Sequence, residues 1–136
     1  MTQFTLVTPE TADEIAKPIL TQLKGKFGML PNFFGALGID GMSLDAFLAL
    51  QAKLENSKFS KRDQELLALA VANYNGCHYC VSAHTFTAKR MAGLSEEECV
   101  EAQHGRAKDP REQLIIDIAL AVLKGKGNLD DVLVAR

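Results

Sequence analysis

Residues 61–84 read KRDQELLALAVANYNGCHYCVSAH, and this stretch decides the fold. Its first half is apolar on most sides and carries helix formers, so it predicts a central helix. Ser60, just before it, is placed to accept from the backbone N–H of Asp63 and cap the helix start. Asn75-Gly76 ends it, with glycine supplying the left-handed C-terminal turn. A second helix then opens at the Cys77-His78-Tyr79-Cys80 segment and runs to about Met91, where Gly93 closes it.

The same pattern extends in both directions. Val, Ile, Thr and aromatic residues are not gathered into alternating runs, so strands are poorly supported and the chain reads as all-α. Ile15, Ile19, Leu20 and Leu23 recur at helical spacing, which predicts a helix from Thr8-Pro9-Glu10-Thr11 to Gly25, kinked or shortened by Pro18. The segment FGMLPNFFGALG follows, a short helical turn whose large apolar residues need a neighbour or a partner chain. Residues 40–55 form the next helix, with Leu44, Phe47, Leu48 and Leu54 inward. Ser95 and Glu98 are the two ends of a capping box. Asp109-Pro110 starts a helix through Leu123, and Lys124-Gly125-Lys126-Gly127 breaks it. His104 sits at a helix end as a C-terminal cap. The tail NLDDVLVAR reads as a helix start that is cut short or docks on another subunit.

A chain of 136 residues fits one domain. The expected layout is an N-terminal helix and apolar arm over 1–39, a core with the C-x-x-C helix over 40–124, and the start of a C-terminal segment over 125–136. Apolar residues make up 47% and the formal net charge is -2. No basic run appears, which argues against nucleic acid as a partner. The longest apolar runs are too short to span a bilayer. The start MTQFTLVTPE lacks a basic segment followed by an apolar one, so no secretion signal is expected and a cytoplasmic location is the default. Three cysteines are too few, and odd in number, for a disulfide scaffold.

The chemistry gathers around Cys77, Cys80 and His84. At about 100° per residue, all three project from one helix face, with Cys80 and His84 as i, i+4 neighbours. Cys77 sits in the opening turn, where unpaired N–H groups favour a thiolate. The layout suits a dithiol that cycles to a disulfide through a sulfenic acid. Glu65 shares the inward side of its helix with Leu69 and Ala72, and a buried carboxylate needs a partner. His84 is the candidate, giving a relay in which Glu65 orients His84 and His84 faces a cysteine. Two other readings stand beside this one. Zinc could take Cys77, Cys80, His84 and Glu65, although no second pair of ligands at knuckle spacing exists. The cysteines could also be inert core residues. Cys99, after three glutamates, reads as an unreactive, half-buried thiol.

The spacing Glu65, Cys77-His78-Tyr79-Cys80, Ala83-His84 resembles the core motif of the alkylhydroperoxidase D family, within the wider carboxymuconolactone decarboxylase-like group. The apolar segment LPNFFGALG resembles that of the group's peroxidase-related members. The resemblance implies a compact all-helical fold and an obligate homo-oligomer, a trimer or hexamer. It implies a peroxidase in which Cys80 attacks a hydroperoxide, Cys77 resolves it, and Glu65 and His84 move protons. A lipoyl or thioredoxin-like thiol reductant would reset the pair, with Cys77 as the more exposed target. No cofactor and no resident metal are expected. The best-known members carry a histidine just before the second cysteine; Tyr79 stands there instead, and His78 is one place earlier, about 100° around the helix. Tyr79 and His78 are therefore auxiliary candidates. Two alternatives remain: a decarboxylase-type lyase using Glu65 and His84 without the thiols, and a non-catalytic helical assembly module.

Overall fold

The computed structural model of the chain describes residues 5–135. The first residues of the MTQFTLVTPE segment and Arg136 lie outside that range. Among the described residues the regular elements are eight helices and no strand: α1 Ala16–Phe27, α2 Asn32–Leu37, α3 Gly41–Leu54, α4 Lys61–Tyr74, α5 His78–Met91, α6 Glu96–Gln103, α7 Pro110–Lys124 and α8 Asp131–Val134. Their packing divides the chain into two units, 1–56 and 57–136.

In the first unit α3 packs with α1 and α2, so this helix, grouped in the sequence reading with the C-x-x-C helix, shares a cluster with the N-terminal elements. Ala16, Leu20 and Leu44 are fully buried at its centre, with Phe34, Leu37 and Leu48 against them. Full burial of each leucine contributes about 1.5–3 kcal/mol. Helix α1 starts later than its apolar spacing predicts. Residues Thr8–Ala12 form a separate hydrogen-bonded turn, and the Asp13 carboxylate accepts from the N–H groups of Ile15 and Ala16. Pro18 consequently falls in the first turn, where its missing N–H has no intrahelical partner, and the helix continues past Gly25 to Phe27. The other Asp13 oxygen accepts from Gly41 N–H at 2.9 Å. Glycine at 41 is what allows this approach: a Cβ there would collide with Asp13, Ala16 and Ile15. Leu54, read as inward, is 46% exposed, because α3 runs out beyond the cluster.

The second unit is organised around α4, which packs against α5, α6 and α7. Leu66, Leu69 and Ala70 of α4 meet Ala88, Leu94, Cys99, Ala102 and Ile116 in one buried cluster. The helix termini follow the capping signals. Ser60 and Asp63 form a reciprocal capping box on α4, and Ser95 and Glu98 form one on α6. Asp109 accepts from Arg111 and Glu112 N–H ahead of Pro110. His104 stands at the C-terminal cap of α6. Gly76, at φ 67°, makes the left-handed turn that lets α4 fold back into α5. Cys99 is buried completely, deeper than the sequence reading has it, and burial, followed by the charge of Glu96, holds its thiol above the ordinary range. α8 is one turn, with Val132 and Val134 exposed.

Ion pairs tie the helices of this unit together. Arg62 donates to Glu98 and Glu112, each at 2.6 Å, and Arg111 donates to the buried Asp63 at 2.8 Å. The hydrogen bonds from Arg62 and from Ser95 N–H lower the Glu98 pKa to about 2. For Asp63, burial pushes upward, but Arg111 and Ser60 outweigh it and the carboxyl lies below its usual value. Groups with depressed folded-state pKa values stabilise the fold above their unfolded pKa and lose that contribution as pH falls through the folded one. Stability is therefore expected to be flat near neutrality and to decline from about pH 4.5 toward about pH 2. Urea midpoints measured across this window check it; an Arg62→Met variant should show a shallower decline than wild type.

Candidate active site

The site lies where α4 and α5 face each other. Glu65 projects from the inward side of α4, next to Leu69 and Ala72, and is 3% exposed. A carboxylate this deep requires donors, and it has three. His84 Nδ1 lies 2.9 Å from Oε2, the Thr87 hydroxyl donates to Oε2 at 2.8 Å, and Lys61 Nζ lies 3.1 Å from Oε1. Burial alone would raise the Glu65 pKa; the bonds from His84, Thr87 and Lys61 outweigh it and hold the carboxyl below its ordinary value. Glu65 is thus an ionised, fully partnered group beside an imidazole.

His84 itself is half-buried and belongs to α5. It follows Cys80 by four residues, one helical turn. Cys77 is the N-cap of α5, and its Sγ accepts from Cys80 N–H at 3.2 Å. The two cysteines are joined in a disulfide, with Cα atoms 5.3 Å apart. Both are half-buried. Tyr79 is 47% exposed and His78 is exposed in the opening turn of α5. Among the described residues no group of three or more His, Cys, Asp or Glu side chains is arranged to hold a metal ion.

The carboxylate–imidazole contact inferred from sequence is present, and so is the pairing of Cys77 with Cys80. Two partners of Glu65 went unread. Lys61 precedes Glu65 by four residues on α4, and Thr87 follows His84 by three on α5. Helical spacing would have placed both beside the site.

The family model for the carboxymuconolactone decarboxylase family matches residues 43–108, which include all of α4, α5 and α6. The chain belongs to that family. A protein named uncharacterized protein 4 in cox locus, from Paracoccus denitrificans, is 36% identical, the match covering 54% of this chain and 69% of that one. Two proteins named alkyl hydroperoxide reductase AhpD are each 45% identical over shorter stretches. The one from Mycobacteroides abscessus is matched over 35% of this chain and 26% of its own length. The one from Corynebacterium kroppenstedtii is matched over 36% and 28%. The chain thus spans little more than a quarter of those two relatives. Among the described residues no helix is long and apolar enough to cross a membrane.

Proposed function

We propose that the chain is a dithiol peroxidase that reduces hydroperoxides through Cys80 and Cys77. The observation that carries this reading is the buried Glu65 carboxylate held on His84, one turn along α5 from a closed Cys77–Cys80 disulfide. In the reduced protein, His84 takes the proton of the Cys80 thiol. The thiolate attacks the peroxide, forming an S–O bond as the O–O bond breaks. The departing alkoxide takes the proton back from the imidazolium and leaves as an alcohol. Cys80 is then a sulfenic acid. Cys77, whose thiolate is favoured by the N–H of Cys80 at the helix start, attacks that sulfur. The disulfide closes, and hydroxide leaves with a proton as water. A dithiol of the lipoyl or thioredoxin-like class returns two electrons and two protons, and is itself oxidised to a disulfide.

The names of the two AhpD relatives support the peroxide chemistry. The same reading makes the protein a cytoplasmic homo-oligomer, a trimer or hexamer. Exposed Phe33, Met42, Phe86 and Met91 support assembly, since interfaces are enriched in such residues. Consumption of tert-butyl hydroperoxide with dihydrolipoamide as reductant tests the reading. Wild type is expected to turn over and Cys80→Ser to match the protein-free rate. A Cys80→Ser variant with wild-type turnover would remove the thiol from the mechanism and leave the lyase reading of the family in its place.

A further inference from the structure

Glu65 has more partners than a relay needs. A carboxylate that only orients an imidazole requires one bond, to the ring N–H. Here the second oxygen, Oε1, faces the Lys61 ammonium, and Oε2 is shared between His84 Nδ1 and the Thr87 hydroxyl. Thr87 Oγ1 also lies 3.3 Å from the Ala83 carbonyl and 3.2 Å from that of His84, but its shortest contact is the carboxylate at 2.8 Å. We propose that Lys61 and Thr87 are positioning residues that clamp the Glu65 carboxylate so that His84 carries its proton on Nδ1 and presents a bare Nε2. The assignment rests on the peroxidase reading for its purpose but not for its geometry.

An ionised carboxylate only accepts, so any ring nitrogen bonded to it must donate. A protonated carboxyl reverses this: its O–H can donate a hydrogen bond to a bare Nδ1, which leaves the ring as the neutral Nε2–H tautomer with no free nitrogen to take a proton from a thiol. Burial pushes Glu65 toward that protonated form. The hydroxyl and the ammonium oppose burial from two directions, and they are drawn from both helices that make the site. The tautomer is thus held by these two residues together with the Glu65–His84 bond itself.

The surrounding charges leave this task to Lys61 and Thr87. On α4, Arg62 is bound to Glu98 and Glu112, and Asp63 to Arg111. α7 supplies Glu112 and Arg111 to those pairs, while Asp117 accepts from Gln113. On α5, Lys89 pairs with Glu96 of α6. The Cys99 thiol of α6 senses the Glu65 charge and is held protonated, chiefly by burial.

The test is ¹⁵N resonance of the His84 ring in reduced protein, above the pH range in which imidazole protonates. Wild type should show a protonated Nδ1 and an unprotonated Nε2. Lys61→Met/Thr87→Val should show signal moved to the Nε2–H form. Peroxide turnover should fall about tenfold in Thr87→Val, by loss of one hydrogen bond to a charged group. The loss should lie in kcat with KM unchanged, and Thr87→Ser and Lys61→Arg should restore both readouts. An unchanged tautomer in the double variant overturns the proposal. Should that variant lose its helical circular dichroism, the single Lys61→Met change at a half-exposed side chain carries the same ¹⁵N test. A wild-type protein with the Nδ1–H tautomer but no peroxide turnover would sink the peroxidase reading and leave the clamp standing.

Discussion

Glu65→Gln is expected to lower kcat/KM for hydroperoxide by about 10²–10⁴-fold, the range of a lost general base. The amide keeps the volume of the side chain but not its charge or its acceptor-only character. It can donate to Nδ1 and leave the proton on Nε2, which disables the imidazole as a base. Lys61 then faces a neutral group, and Thr87 loses a charged acceptor. Folding should survive, since the substitution also removes the cost of burying a charge. The check is a pair of measurements on one sample: steady-state peroxide kinetics and the thermal midpoint. A large loss of rate with a small change in midpoint is the expected result. Equal rates in the variant and wild type would make Glu65 a structural acid only.

Cys77→Ser is expected to stop catalysis after a single oxidation of each chain. Cys80 still attacks the peroxide, but no thiol stands at the start of α5 to condense with the sulfenic acid. The product should react with dimedone, and the adduct should map to Cys80. Repeated turnover in this variant would show that the external reductant resolves the sulfenic acid directly, and the role given to Cys77 would fall. The serine retains an oxygen at the N-cap, so α5 should start as before.

Much of this was legible in the sequence because the signals were local. Ser60, Gly76, Ser95 and Pro110 mark helix ends through their own local chemistry: α4, α6 and α7 start at Ser60, Ser95 and Pro110, and Gly76 lies just past the end of α4. Glu65 was readable as buried because it interrupts an apolar face shared with Leu69 and Ala72. Its pairing with His84 followed from the cost of an unpartnered buried charge. The less legible features depend on distant or competing contacts. The start of α1 was misread because Asp13 caps it two and three residues ahead, while the apolar spacing continues upstream. The depth of Cys99 depends on α4, α5 and α7 residues closing over α6. Lys61 and Thr87 look like ordinary surface residues until the two helices are set side by side; only then does one carboxylate account for both.

The most direct measurement is a thiol count, under denaturing conditions, on fully reduced protein before and after one equivalent of tert-butyl hydroperoxide. The account predicts that two of the three cysteines lose their thiols, forming the Cys77–Cys80 disulfide, while buried Cys99 remains free. A count still at three after the peroxide is added would contradict it.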